Sequence, residues 1–376
     1  MARVTRAKNF PMKIFQICLS KAETSNLKLS TCMNILCIDI GSGTQDALYY
    51  QSDQPLQNCP KFVLPSPARM VAVQIQKLSV DHKPIYLYGQ VMGGGFGGRV
   101  WNHLDQGLPV AAHPQAALSL ADDMHKLEKR GIQIEDSCPS GYCPVYLCDF
   151  DPGFWRGILA QAGLDMPEMV LAAAQDHGFH PQASNRLGRF TLWTELLTQT
   201  QGRVQDLLFH HPPKELTRLR AVQSMTGGGL VADTGAAAVL GALFDPDIQA
   251  RNQEQGILIV NVGNSHTIAF LVYQEGIYGI FEHHTGLLDP DKLWQLLIRF
   301  RQKELDNQEV FADNGHGCMY VRDFPPGIGF DSGVVLGPRR DMLQSFPVTF
   351  PAPGGDMMLA GSFGLLHGWR LKQGEK

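Results

Sequence analysis

Two distant segments of the chain share one pattern of apolar and polar positions. Residues 35–50 read ILCIDIGSGTQDALYY, and residues 257–272 read ILIVNVGNSHTIAFLV. Each segment has an apolar run broken by one polar residue, then a glycine, a short polar loop and a second apolar run. This order predicts a β-hairpin whose loop is rich in small polar residues. Because the two copies lie too far apart for a solenoid repeat, they predict two related lobes that face each other.

The loops of these hairpins carry the chemistry of an anion clamp. Glycine lets the backbone approach a ligand closely, and successive amides can point at an anion. Hydroxyls in both loops add further donors. Asp39, at the end of the first strand, suits a hydrated Mg²⁺, which prefers one or two carboxylates plus water. The alternative for either loop taken alone is an ordinary glycine-rich hairpin.

Elsewhere the pattern predicts strand, helix and strand over residues 145–178. The second strand ends at Asp176 and His177, and polar residues at the carboxyl end of a strand line the crevice in open α/β sheets. We expect Asp176 to act on the nucleophile, with His177 as the second candidate and a capped turn as the alternative. Residues 93–98 satisfy G-x-G-x-x-G, but no strand ending in an acid follows, which favours a loop near the cleft over a dinucleotide fold.

The first hairpin resembles the phosphate-1 hairpin of the actin–Hsp70–sugar kinase superfamily of ATPases. Residues 39–46, DIGSGTQD, fit D-x-G-x-G-T-x-D at every fixed position, whereas the second copy has Asn261 and Ile268 in place of the two aspartates. Residues 230–244, LVADTGAAAVLGALF, resemble the small-residue connecting helix of the superfamily, and the resemblance implies that Asp233 faces the cleft at its N-terminus. It also implies that the glycine loop of residues 353–356, PGGD, contacts adenosine; a plain turn before the last helix is the alternative.

More narrowly, the chain resembles the DUF1786 family. The resemblance rests on DIGSGTQD (39–46), LPSPARM (64–70), QDHG (175–178), ADTGAAA (232–238), NVGNSHT (261–267), FEHHT (281–285), LGPRR (336–340) and GDMM (355–358). Members sometimes carry the label of pyruvate formate-lyase activating enzyme. Such radical enzymes need C-x3-C-x2-C for an iron–sulfur cluster, and this sequence lacks that motif. The resemblance therefore implies a fold and no assigned reaction.

Composition changes this picture in a few places. The net charge of -4 argues against a nucleic-acid partner, and no apolar run reaches the length of a membrane span. Residues 1–32 hold six Lys or Arg and one Glu, which predicts a disordered basic extension or a start upstream of Met33, with an organelle address as the alternative. Metal binding is an open alternative for two groups of residues: the cysteines Cys138, Cys143 and Cys148, and the histidines His283, His284 and His316. Arg339 and Arg340 fit either a solvated surface or a phosphate contact.

The chain is therefore predicted to be an α/β protein with the two-lobed, actin-like ATPase (ribonuclease H-like) fold, with duplicated mixed sheets and a cleft between lobes 33–240 and 241–376. The expected cofactors are ATP and Mg²⁺ in a cytoplasmic protein that hydrolyses ATP or phosphorylates a small molecule, or that serves a protein partner. A non-catalytic binding protein using the same cleft is the alternative. The predicted residues are Asp39, Asp176 and Asp233 for catalysis, Asp39 and Asp233 for the metal, and Gly41, Ser42, Gly43, Thr44, Asp46, Asn261, Gly263, Asn264, Ser265, Thr267, Gly354, Gly355 and Asp356 for the nucleotide.

Overall fold

The computed structural model describes residues 33–182, 184–274 and 276–374, so the predictions for residues 1–32 lie outside the described residues. The described residues form three β-sheets. Sheet I has the strand order β3-β2-β1-β8-β10-β9. Its strands are β1 (Asn34–Ile40), β2 (Thr44–Gln51), β3 (Lys61–Pro65), β8 (Met169–Ala174), β9 (Leu208–Phe209) and β10 (Val231–Ala232).

Sheet II has the strand order β14-β13-β12-β11-β15-β16. Its strands are β11 (Ile257–Val262), β12 (His266–Tyr273), β13 (Gly276–His284), β14 (Gly317–Tyr320), β15 (Ser332–Leu336) and β16 (Val348–Thr349). In both sheets an antiparallel hairpin continues into a third antiparallel strand on one side. On the other side its first strand pairs in parallel with a later strand, and that strand with another. The duplicated mixed sheets of the ribonuclease H-like fold are thus confirmed.

The two hairpins agree in detail. The first runs from β1 through the loop 41–43 into β2, and the second from β11 through the loop 263–265 into β12. The amide of Gly41 donates to the carbonyl of Thr44 at 2.9 Å, and the amide of Gly263 donates to the carbonyl of His266 at 2.9 Å. The shared sequence pattern therefore encodes the same turn twice.

Sheet III is inserted between β3 and β8, and the sequence pattern did not predict it as a sheet. It has the order β6-β5-β4-β7 with parallel pairing throughout. Its strands are β4 (Ile85–Gly89), β5 (Val110–Ala112), β6 (Ile132–Ile134) and β7 (Cys143–Leu147). Two of them are only three residues long, so they give almost no periodic signal.

Several helices begin at a polar cap followed by proline. Ser66, Asp151, Asp245 and Asp289 each accept a bond from a first-turn amide, and the proline fits the first turn because it needs no amide there. Among the described residues no helix is long and apolar enough to cross a membrane. The helices are α1 (Pro67–Val80), α2 (Gly97–Asp105), α3 (Pro114–Ala117), α4 (Met124–Lys129), α5 (Pro152–Gln161), α6 (Asn185–Gln199), α7 (Thr217–Met225), α8 (Thr234–Leu243), α9 (Pro246–Glu254), α10 (Pro290–Arg301), α11 (Asn307–Ala312) and α12 (Ala360–Gln373).

Helices α8 and α12 join the two duplicated sheets. They cross so closely that a Cβ on Gly364 would overlap the carbonyl of Ala237, and a Cβ on Gly241 would overlap the carbonyl of Ala360. Alternate residues of β11 belong to different cores, because side chains alternate across a sheet. Ile257 and Ile259 share the core of sheet I and these helices. The remaining apolar residues of β11 face a separate core of sheet II.

Candidate functional site

A cavity of about 470 Å³ lies between the two hairpin loops. The N-terminal turn of α8 and the segment 91–95 form further parts of its wall, and residues 357–361 close another side. Most of the predicted site residues line it together: Asp39, Gly41, Ser42, Gly43, Thr44, Asp46, Asp176, Asp233, Asn261, Gly263, Asn264 and Ser265.

The two hairpin loops touch each other directly. The Ser265 hydroxyl donates to the Ser42 hydroxyl oxygen at 2.9 Å. A Cβ on Gly43 would lie 2.5 Å from the Asn264 side-chain nitrogen, so only glycine fits there without a shift. At the start of α1, the Ser66 hydroxyl donates to the Ser42 carbonyl at 2.8 Å and fixes the first loop from behind. Glycine amides and hydroxyls of both halves thus converge on one point of the cavity.

Thr267 and the C-terminal glycine loop are not part of the cavity wall among the described residues. Thr267 is buried, and its hydroxyl bonds that of Thr285 at 3.0 Å. Gly354 and Gly355 have φ values of 60° and 90°, a left-handed conformation that favours glycine, and the Phe363 ring lies against Gly354. Asp356 caps the next turn by accepting the Met358 amide at 3.0 Å. The neighbouring residues 357, 358, 360 and 361 line the cavity instead.

Asp39 and Asp46 form a cross-strand pair of carboxylates in the first hairpin. Burial, together with the charge of Asp46, raises the pKa of Asp39 to about 7. Burial likewise raises the pKa of Asp46 to about 7. The Thr234 hydroxyl donates to Asp39 Oδ1 at 2.9 Å, and the Thr44 hydroxyl donates to Asp46 Oδ2 at 3.0 Å. Within the described part of the chain Asp46 Oδ1 is buried without a hydrogen-bond partner. Neither carboxylate forms a salt bridge with another described residue, and the more distant Arg218 only partly offsets the rise in the pKa of Asp39.

Asp233 caps α8, as the resemblance implied, but it also belongs to an ion-pair network. Arg189 Nη1 donates to Asp233 Oδ2 at 2.9 Å, and Arg189 Nε donates to Glu282 Oε2 at 2.6 Å. Asp233 Oδ1 accepts the Gly235 amide at 2.9 Å. Arg189 thus links α8 to strand β13 of sheet II. With further bonds from Arg189 Nη2 and the Asp176 amide, each oxygen of Asp233 accepts two donors. These contacts do not test its predicted role as a metal ligand.

Asp176 is buried and anchors the turn after β8. Its Oδ1 accepts the Gly178 amide at 2.8 Å, and its Oδ2 accepts the Leu219 amide at 2.9 Å. Burial raises the pKa of its carboxyl, while these two amides act in the opposite direction. This geometry matches the capped-turn alternative, and the predicted action of Asp176 on a nucleophile is not tested by it.

Sequence reasoning missed two arginines in the cavity wall, of which Arg189 is buried and Arg218 partly buried. Arg189 lies on α6 and Arg218 on α7. Arg218 forms a bidentate pair with Asp149 at 2.7 and 2.9 Å, and it donates to the Gln175 carbonyl at 2.6 Å. Their partners are far away in the sequence, so no local motif marks them. Arg340, which the sequence left between a surface role and a phosphate contact, does not line the cavity and donates to the Pro351 carbonyl at 3.1 Å.

Metal binding was an open alternative for His283, His284 and His316, and these histidines lie on opposite sides of strand β13. His283 is buried, with its Nε2 3.1 Å from Asp313 Oδ2. On the other face, the ring of His284 lies 4.6 Å from that of His316. Among the described residues, the group able to hold a metal consists of His177, His266, Glu282 and His316. Cys138, Cys143 and Cys148 are free thiols outside it.

The sequence matches one protein-family model. The model described as "Putative pyruvate format-lyase activating enzyme (DUF1786)" matches residues 92–342. No protein of curated function matches the sequence significantly.

Three solved structures resemble the fold distantly. An exopolyphosphatase-like protein is 9% identical with a TM-score of 0.29 over 81% of this chain and 66% of its own. The ethanolamine utilization protein EutJ from Carboxydothermus hydrogenoformans is 9% identical with a TM-score of 0.31 over 90% of each chain. A ParM filament protein from Clostridium botulinum is 10% identical with a TM-score of 0.30 over 90% of this chain and 99% of its own. Such low scores carry no functional argument, and the fold assignment stands on the strand order. Because the family model covers more than half of the chain, the protein belongs to the DUF1786 family.

Proposed function

We propose that the cleft binds Mg-ATP and that the protein hydrolyses it or transfers its γ-phosphoryl group to a small-molecule acceptor. One observation carries the proposal: two glycine hairpins with the same turn meet at Ser42 and Ser265, beside the carboxylates Asp39 and Asp46, which form no salt bridge among the described residues. Backbone amides and hydroxyls suit phosphate oxygens, and carboxylates suit Mg²⁺. The radical chemistry in the family's description finds no support in the sequence, which lacks C-x3-C-x2-C.

The residues present fit a magnesium ion. Asp39 lines the cavity and its Oδ1 is held by Thr234, while Asp46 offers a buried oxygen that has no partner among the described residues. A bound cation would relieve the repulsion between these carboxylates and favour their ionised forms. When bound, Mg²⁺ neutralises charge on the phosphates of the nucleotide.

The chain's own residues would then position the reaction. The amides of 42–43 and 264–265 would hold the phosphate oxygens, since those of Gly41 and Gly263 already close the two turns. The Ser42–Ser265 contact would open to admit the phosphates. Asp176, held by two amides, would fix the turn after β8 in the cavity wall. Charge stabilisation and positioning carry most of phosphoryl transfer, so this arrangement needs no covalent intermediate.

The test is a thermal-shift and calorimetric titration with ATP, with and without Mg²⁺. At a ligand concentration 100 times the Kd, binding stabilises a protein by about 2.7 kcal/mol, which is easily detected. Asp39→Ala should lose the Mg²⁺-dependent part of the affinity. Asp53→Ala is the matched control, because this carboxylate is exposed and does not line the cavity. The native chain showing no stabilisation by Mg-ATP would refute the proposal.

A second candidate is a binding protein without turnover. Asn261 occupies the position that corresponds to Asp39, and Ile268 corresponds to Asp46, so the second hairpin brings no charge to the cleft. Phosphate release and transfer assays on a protein that binds Mg-ATP separate the candidates. Tight binding with no phosphate released and no phosphorylated product identifies the non-catalytic form. Asp176→Asn should lower turnover alone if Asp176 activates the nucleophile, and should weaken nucleotide binding as well if it only positions the turn.

A further inference from the structure

Two half-buried histidines, His177 and His266, and the buried His316 form a cluster at one wall of the cavity, and the proposed function leaves it unused. His177 Nε2 and His316 Nε2 are 3.2 Å apart, and the His266 ring lies 4.8 Å from the ring of His316. One ligand atom each from His177, His266, Glu282 and His316 lie within 4.8 Å of one another. Four separate segments of the chain supply these residues: the turn after β8, strand β12, strand β13 and the segment after α11.

The geometry is close to that of a tetrahedral metal site. With bonds of about 2.1 Å, the ligand atoms of a tetrahedral zinc site lie about 3.4 Å apart. The 3.2 Å separation of the His177 and His316 nitrogens already fits one edge of that tetrahedron. The largest separation in the group, 4.8 Å, requires side-chain shifts of about an ångström.

The protonation states also suit metal binding. Burial, aided by the nearby charge of Arg189, lowers the pKa of His266 to about 3 and that of His177 well below its ordinary value. Burial and neighbouring His266 also lower the pKa of His316. Neutral imidazole is the form that binds metals. His316 is 2% exposed, and its Nδ1 has no hydrogen-bond partner among the described residues.

Glu282 is held in the way a metal-binding carboxylate usually is. It is fully buried, Gln175 donates to its Oε1 at 2.6 Å, and Arg189 donates to its Oε2 at 2.6 Å. Each carboxylate oxygen has two lone-pair directions, so each keeps one for a metal. Partners of this kind orient the ligand and tune the affinity of a site.

We propose that His177, His266, Glu282 and His316 bind one transition-metal ion, with Zn²⁺ as the preferred occupant. Three imidazoles favour Zn²⁺, Co²⁺ or Ni²⁺ over Mg²⁺, which prefers oxygen ligands, so this site is distinct from the one at Asp39. Because His177 and His266 line the cavity, the ion lies at its wall. The ligands come from both duplicated sheets, so the ion also braces the cleft.

The experiment uses the full chain without an affinity tag, stripped by a chelator and then titrated with Zn²⁺ or Co²⁺. We expect one equivalent per chain by elemental analysis, visible absorption typical of tetrahedral Co²⁺, and a melting temperature raised by several degrees. Excess Mg²⁺ should not displace the Co²⁺. Substoichiometric binding by the native chain, or displacement by Mg²⁺, would overturn the proposal without bearing on ATP binding at the hairpins.

Two variants and two controls locate the ion. His316→Gln and His177→Gln should lose the Co²⁺ absorption and the metal-dependent rise in melting temperature. His283→Gln should keep both, because His283 lies on the opposite face of β13 against Asp313. His125→Gln, at an exposed helix position, controls for surface binding. Circular dichroism of each stripped variant checks folding. Loss of the signal in either control, or its retention in a folded His316→Gln variant, would contradict the assignment.

Discussion

Replacing Asp46 with Asn should stabilise the metal-free protein at pH 8 far more than at pH 4.5. Asp46 is 7% exposed, its Oδ1 is buried without a partner in the part of the chain described, and burial raises its pKa to about 7. An unfolded chain gives aspartate a pKa of about 3.9. Folding therefore favours the protonated carboxyl, and the ionised form costs stability at higher pH.

The size of the effect follows from the two pKa values. Below pH 4 the carboxyl is protonated in both states and costs nothing. Between pH 4 and the folded pKa of about 7, the cost grows by about 1.4 kcal/mol per pH unit, and above it the cost levels off near 4 kcal/mol. At pH 4.5 only about 1 kcal/mol of it is present. The stability gained by Asp46→Asn should thus be about 3 kcal/mol larger at pH 8 than at pH 4.5.

The assay is urea unfolding followed by tryptophan fluorescence, in EDTA, at four pH values from 4.5 to 8. The pH dependence isolates the charge, because the new amide adds a contribution that does not change with pH. Asp53→Asn, at an exposed position, is the matched control and should show no such trend. A stability difference for Asp46→Asn that stays constant with pH would refute the reasoning. Added Mg²⁺ should shrink the trend if the carboxylate pair holds the ion.

Two further predictions concern the joint between the sheets. Arg189→Met should lower the free energy of unfolding by about 3–5 kcal/mol in urea titrations, because it leaves Asp233 and Glu282 buried without their cation. Arg189→Lys should recover only part of this loss, since lysine cannot reproduce the forked contact. Equal stabilities for the Arg189→Met variant and the native chain would contradict this reasoning. Gly364→Ala should lower the melting temperature by several degrees, because its Cβ overlaps the backbone of α8. Gly157→Ala, at an exposed position of α5 where the described residues leave open space, should instead stabilise by about 1 kcal/mol. A similar shift for both variants would show that helix propensity alone decides.

The predictable parts of the fold are those whose sequence signal lies within one short, continuous segment. The two hairpins could be found because an apolar run, a glycine and a polar loop occur within one short segment, and the turn bonds of Gly41 and Gly263 are local. The strand–helix–strand unit ending at Asp176 was visible for the same reason. Sheet III was not, because strands of three residues carry no period.

For the charged residues of the site, the sequence showed which residue types are present but not which of them form pairs. Arg189 reaches Asp233 and Glu282 across separations of 44 and 93 residues, and a sequence does not show which buried charges will meet at that range. The glycines at 354 and 355 show the opposite difficulty. Their pattern suggested a ligand loop. Gly354 takes a left-handed conformation under the ring of Phe363, which explains a glycine there without a ligand, and the contact of this loop with adenosine stays a prediction.

The difference between the two hairpins explains why a duplicated fold need not duplicate its charge. In the first, the directly opposed residues Asp39 and Asp46 are both acids, an arrangement that destabilises adjacent strands unless a proton or a cation neutralises the charge. In the second, the corresponding opposed residues are Asn261 and Ile268, which need no counter-ion. Only the first hairpin therefore carries the cost of two opposed carboxylates. The hairpin itself does not require these carboxylates, because the second copy forms the same turn without them. The retained carboxylates of the first copy are thus the feature that packing does not explain and that a bound cation would.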